Sequence, residues 1–183
     1  EEESTETVMG ALKRVVESRG LFCSLYSDRG SHMARTPQAG GEVDREHPTQ
    51  IARALKELDI ELILAYSPRG RCERIFGTWQ GRLPQELRLR NIATVETANE
   101  FLRTDWIGMH DKSFSVKAEQ AGTAFLPYTG NALEKIFSQQ HERVVDNDNT
   151  VRYENRCLQI PQQTFRFSLA RCRVLVCEHL DRT

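Results

Sequence analysis

Near the start of the chain, Val8, Leu12, Val15 and Val16 recur at helical spacing, with Ser4 or Thr5 placed to cap and Gly20 placed to stop. The pattern predicts a helix that packs one face. Leu21 to Tyr26 is a short apolar run without helical period, closed by Asp28-Arg29-Gly30, and reads as a buried strand with Asp28 just past its carboxyl end. Ser31 to Pro48 holds two prolines and the Gly40-Gly41 pair and reads as a loop. Thr49 then caps a second helix through Ile51, Ala54, Leu55 and Leu58, followed by a strand from Ile60 to Ala65 and a break at Ser67-Pro68. After Arg69-Gly70-Arg71 a third helix is predicted. At about 100° per residue, Ile75, Phe76, Trp79 and Leu83 cluster on one face, which marks them as core and not as base-stacking platforms. A further helix from about Thr94 carries Val95, Ala98, Phe101 and Leu102.

The order αβαβαα implies an α/β layer with at least part of its sheet parallel. Beyond Asp105 the pattern changes. Glu142 to Asp146, Thr150 to Glu154 and Arg156 to Ile160 are short strand candidates separated by turn-rich Asn147-Asp148-Asn149 and Glu154-Asn155, and Phe165 to Cys177 supplies another extended run. The expected division is residues 1–107 as an α/β part, 108–138 as a linker segment, and 139–183 as a small all-β domain.

Composition narrows the class. A 183-residue chain can bury a core, and aromatic and β-branched residues spread along its length argue against disorder. No run approaches the roughly 20 apolar residues needed to span a bilayer, and Glu1-Glu2-Glu3 is unlike a signal peptide, so the expected location is cytoplasmic, without a membrane partner. Both ends read as cut. The five cysteines include no CxxC pair and no zinc-finger histidine spacing, which points to reduced thiols. Net charge is −1, but Arg69, Arg71, Arg74, Arg82, Arg88 and Arg90 stand against only Glu73 and Glu86 in one stretch.

Two carboxylates stand out by position. Asp28 ends a strand and Glu73 lies in the first turn of a helix that follows the neighbouring strand, so both can face the crevice beyond the carboxyl ends of an open sheet. Such oxygen donors suit magnesium, and two cations roughly 4 Å apart can activate an attacking hydroxyl and stabilise a departing phosphodiester oxygen. Structural readings also fit: an Asp before Arg-Gly is commonly a turn residue, and a first-turn Glu favours the helix dipole. The arginines can bind phosphates or form a solvated face. His32 is either a neighbour of a scissile phosphate or a polar loop residue.

The strings SLYSDRGSH (Ser24 to His32), TPQAGGEVD (Thr36 to Asp44), TQIARALKELDIELILAYSP (Thr49 to Pro68), RGRCERIFGTWQGRLPQEL (Arg69 to Leu87) and DNDNTVRYENRCLQIP (Asp146 to Pro161) together resemble insertion-sequence transposases of the ISNCY type, in the DDE transposase and retroviral integrase superfamily. The resemblance covers nearly the whole chain in the right order. It implies an RNase H-like core with an incomplete sheet, followed by a small β-rich domain that helps hold DNA. It implies that Asp28 and Glu73 are the second and third acids of a set of three that holds magnesium or manganese ions for DNA cleavage and strand transfer, with Cys72 where serine is common. The implied partner is terminal-repeat DNA, contacted by Arg69, Arg71, Arg74, Arg82 and His32, with self-association a second expected contact.

Two departures accompany the resemblance. The family's first aspartate and the central strands of its sheet have no counterpart here, and the join at Pro68-Arg69 is about two residues short. The implied fragment is nearly inactive alone. The alternative is a non-catalytic DNA-binding or dimerising remnant. An unrelated RNase H-like nuclease would need other acids, and Asp44, Asp59 and Asp105 lack comparable strand-end placement.

Overall fold

The structure is a computed structural model and describes residues 4–38, 41–65, 70–117, 119–162, 164 and 166–181. The chain divides into two compact units, residues 1–64 with 124–183, and residues 65–123.

In the first unit, helix α1 (Thr5–Arg19) begins at Ser4, whose hydroxyl accepts the Thr7 N–H at 3.2 Å while the Thr7 hydroxyl accepts the Ser4 N–H at 2.8 Å. Reciprocal caps of this kind satisfy donors that an α-helix leaves unpaired at its start. The helix ends at Gly20 (φ 103°), where a Cβ would stand 2.3 Å from the Leu126 carbonyl oxygen. Only glycine fits there, because Leu21 and Leu126 exchange both backbone hydrogen bonds (2.7 and 2.8 Å) immediately afterwards.

Strand β1 (Ser24–Ser27), helix α2 (Gln50–Glu57) and strand β2 (Glu61–Leu64) form a strand–helix–strand unit in which β1 and β2 pair in parallel, Ser24 opposite Glu61 through Ser27 opposite Leu64. Thr49 caps α2 by accepting the Ala52 N–H. The apolar face of α2 enters the core: Ile51, Ala54 and Leu55 are fully buried with Met9 and Phe137, alongside Leu12, Val16, Met33, Leu58, Ile60 and Ile136.

Phe137 follows the short helix α6 (Leu133–Ile136), so this core joins both ends of the sequence. The polar side of α2 makes the same connection. Gln50 donates to the Gln140 carbonyl (2.8 Å) and accepts the Gln140 N–H (3.0 Å). Arg53 donates one guanidinium nitrogen to the carbonyls of Ile136 (2.9 Å) and Ser138 (2.7 Å), and others to Gln50 and Glu57. Replacing Arg53 by methionine keeps the stem but orphans two carbonyls, and chemical denaturation should show about 2–3 kcal/mol of lost stability. A change below about 0.5 kcal/mol would mean that water replaces the guanidinium at little cost.

Strand β3 (Gln139–Val144) pairs antiparallel with β6 (Arg173–Glu178), and β4 (Thr150–Tyr153) forms a hairpin with β5 (Arg156–Gln159), turning at Glu154 (φ 52°). Of the extended run expected from Phe165 to Cys177, Phe165 lies outside the described residues, and among the described ones the strand begins at Arg173. Asn149 explains the difference, since its side chain accepts the Leu169 N–H at 2.8 Å, and the chain then turns at Arg171 (φ 62°). In the β3–β4 turn the Asp148 carboxylate accepts from the hydroxyl and the N–H of Thr150, which holds its pKa below the usual carboxylate value.

The second unit is helical. Helix α3 (Gly70–Leu89) is followed by α4 (Val95–Phe101), a π-helical turn (Leu102–Trp106) and α5 (Ile107–Phe114) without interruption from α4 onward. Its centre is aromatic: Trp79 meets Trp106 edge to face at 6.0 Å and His110 at 5.6 Å, while Arg82 lies over Phe114 (5.1 Å) and Arg90 over Phe101 (4.7 Å). The π-turn, which the apolar spacing does not reveal, precedes His110 and ends on the buried Trp106.

The expectation that Ile75, Phe76, Trp79 and Leu83 are all core is corrected here. Ile75 is 51% and Phe76 65% exposed. The aromatic cluster that α3 joins is built around Trp79, one turn farther along the helix, and Ile75 and Phe76 stay largely exposed. No helix among the described residues is long and apolar enough to cross a membrane.

Candidate active site

Asp28 is the first residue after β1 and is exposed. One of its carboxylate oxygens accepts the Gly30 N–H at 3.0 Å, and the Gly30 carbonyl accepts the N–H groups of Met33 (2.8 Å) and Ala34 (2.9 Å). A Cβ on Gly30 would stand 3.0 Å from the His32 ring and 3.2 Å from the Asp28 carboxylate. This glycine therefore lets Asp28 and His32 close on the same point, and the fold brings these two predicted residues together. Arg29 donates to the Gly41 carbonyl at 3.2 Å and ties the turn to the following loop. In that loop the Asp44 carboxylate accepts from the backbone of His47 and Glu46 and from the His47 ring, and these bonds lower its pKa. Asp44 is thereby a turn-forming residue.

Glu73 lies in the first turn of α3 and is exposed. On the helix surface its neighbours at spacings of three and four are Phe76 and Gly77, with Gly81 one turn beyond. Arg74 and Arg82 are exposed on the same helix. Arg71 lies in its first turn, with its side chain outside the described part of the molecule. Arg69 and the short join at Pro68-Arg69 lie outside the described residues.

Asp28 belongs to the first compact unit and Glu73 to the second. Among the described residues no three His, Cys, Asp or Glu side chains gather to hold a metal ion. Each unit thus offers one exposed carboxylate at its candidate position, which is a partial donor set for a hard cation.

A second polar feature lies in the first unit. Glu6, Gln139, His141, Tyr153, Glu154, Arg156 and Glu178 line a cleft of about 410 Å³. The Tyr153 hydroxyl donates to Glu178 at 2.7 Å, and this bond to a carboxylate, together with burial, pushes the phenol pKa up to about 12. Since the folded pKa exceeds the unfolded value near 10, the associated stability is complete below about pH 10 and falls as pH rises toward 12. Tyr153→Phe should remove that part of the alkaline loss and cost about 1 kcal/mol at neutral pH, read from urea unfolding at pH 7 and pH 11. An identical alkaline loss in both proteins would assign it to other groups. The cleft was not identified from sequence; its only signal is the alternation Gln139, His141, Arg143 along β3.

Comparison with known proteins finds the chain similar to transposases. No protein-family model matches it, and no solved structure does. The "Transposase for insertion sequence IS1202" of Streptococcus pneumoniae is 28% identical over 160 residues, which cover 85% of this chain and 34% of that protein. The "Putative transposase y4bF" of Sinorhizobium fredii is 28% identical over 166 residues, covering 87% and 35%. The chain spans about a third of the length of these curated relatives.

Proposed function

We propose that this chain is part of a DDE transposase with an RNase H-like core, in which Asp28 and Glu73 are two of three acids that hold magnesium or manganese ions for DNA cleavage and strand transfer. Similarity along most of the chain to a transposase of an insertion sequence and to a putative transposase carries this reading. It is supported by the position of Asp28 at the carboxyl end of a strand in a parallel pair, where α/β sheets bind ligands. The exposed first-turn position of Glu73 supports it as well.

In this reading Asp28 and Glu73 would help hold the cations, which when bound would supply charge stabilisation at the scissile phosphate and activation of the attacking hydroxyl. The chain's own residues orient and attract. The Asp28 turn holds one carboxylate outward, His32 stands next to it, and the arginines of α3 meet DNA phosphates beside Glu73. The relevant assay uses the complete transposase polypeptide on DNA carrying its element's ends, with magnesium or with chelator. Magnesium-dependent nicked and joined products that vanish in Asp28→Asn and Glu73→Gln, with DNA binding retained, are the expected result. Undiminished products from both variants would refute the assignment of these two acids, whereas DNA binding without any products from the unaltered polypeptide would favour the second reading, a DNA-binding or dimerising remnant.

A further inference from the structure

The start of α3 combines three observations that the packing of its own unit does not explain. Phe76 presents 65% and Ile75 51% of their surface to solvent. Gly77 and Gly81, four residues apart on the stripe that begins at Glu73, have nothing within 4 Å of where a Cβ would be. Glycine inside a helix is less stable than alanine, and no neighbour in the unit demands its small size. From Gly70 to Arg90 the sequence carries five arginines against two glutamates; Arg82 and Arg90 lie over Phe114 and Phe101 in the unit's own packing, while Arg74 and Arg88 are exposed outside that aromatic cluster.

We infer that this surface is a docking site for unpaired DNA, with Phe76 as a platform for one base and the Gly77–Gly81 stripe as the place where the sugar–phosphate backbone comes close. An exposed aromatic ring on the same helix as an arginine-flanked stripe is a combination that holds single strands, because every base has a stackable face and every linkage a negative charge. The glycine stripe lets a strand approach the helix without meeting a side chain. Arg74, three residues before Gly77, and Arg88, seven after Gly81, fall on the stripe's side of the helix and provide charge complementarity to its phosphates. An apolar protein partner would gain nothing from that charge. Glu73 is the local exception, and its repulsion of a phosphate is relieved when a cation lies between them.

The inference rests on the transposase reading, since it assumes that DNA is the ligand, but it does not require Asp28 and Glu73 to share cations. The 183-residue chain can be titrated into fluorescently labelled DNA of arbitrary sequence in three forms: a single strand, a duplex with a short single-stranded overhang, and a blunt duplex. Phe76→Ala should weaken the first two by about tenfold, the loss expected for one stacked base, and leave the blunt duplex unchanged. Phe76→Trp should restore binding. Gly77→Leu should weaken single-strand binding without lowering Tm, because the unit has room for the added side chain.

Three results would overturn the inference: no DNA binding by the chain, equal affinity of wild type and Phe76→Ala for the single strand, or a wild-type dimer that Phe76→Ala converts to monomer. The last would identify the face as a contact between copies. Magnesium titration of Glu73→Gln separates the two readings. A Phe76 effect without any change in magnesium dependence would remove the metal assignment and keep the stacking surface.

Discussion

If Asp28 holds a cation as proposed, Asp28→Asn in the complete polypeptide should reduce strand transfer by about a thousandfold or more while leaving the fold and DNA affinity nearly unchanged. Losing one ligand of a concerted set typically costs several orders of magnitude in rate. Asparagine isolates the charge from the geometry. The Asp28 carboxylate accepts the Gly30 N–H at 3.0 Å, and an amide oxygen in the same place accepts it equally, so the turn that carries His32 is retained. What changes is one negative charge at an exposed strand end, the property a divalent cation needs. Glu73→Gln makes the same change on α3, at the cost of a few tenths of a kcal/mol in helix-dipole stabilisation. If both variants retain more than about a tenth of wild-type strand transfer, neither carboxylate is a ligand in a concerted site.

Phe137→Ala should cost about 3–5 kcal/mol, the range for removing a fully buried aromatic side chain. Phe137 is 0% exposed and packs with Met9, Ile51 and Leu55, so the cavity opens where helices from the two ends of the sequence meet. For a chain of this size the loss corresponds to a fall in Tm of roughly 10 °C. The informative feature is where it is felt. If residues 1–64 and 124–183 form one cooperative unit, hydrogen exchange should accelerate together in α2 and in the β3–β6 ladder. Protection lost in one and kept in the other would show two separate cores.

Several elements were legible in the residue pattern because they depend on local periodicity and caps. Thr49, Ile51, Ala54 and Leu55 specify α2 and its buried face, and the structure agrees. Asp28 was placed at a strand end from the turn chemistry of Asp-Arg-Gly, and its Oδ1–Gly30 hydrogen bond is that turn. Phe76 was misread for a physical reason: periodicity reports which side chains share a face, but not whether a partner covers that face along its whole length. The aromatic cluster that α3 joins is built around Trp79, three residues beyond Phe76, which stays 65% exposed. The domain division shows the same limit. A linker from 108 to 138 follows from weak patterning, whereas the chain in space returns to its first unit at Ala124, held by the Leu21–Leu126 pairing and by Phe137 in the core.

The linear order of residues was thus enough to mark helices α1 to α4, the strand–helix–strand alternation, and the places of Asp28 after a strand and Glu73 in a first helical turn, because these arise from interactions between residues a few positions apart. Tertiary contact alone decided that the two ends of the chain share a core through Phe137 and Arg53, that Asn149 ends the extended run before β6, and that Phe76 faces solvent beside Glu73. The Arg53 contacts meet across more than eighty residues of chain and the Asn149–Leu169 bond across twenty, and no local pattern encodes whether such distant surfaces meet or fail to meet.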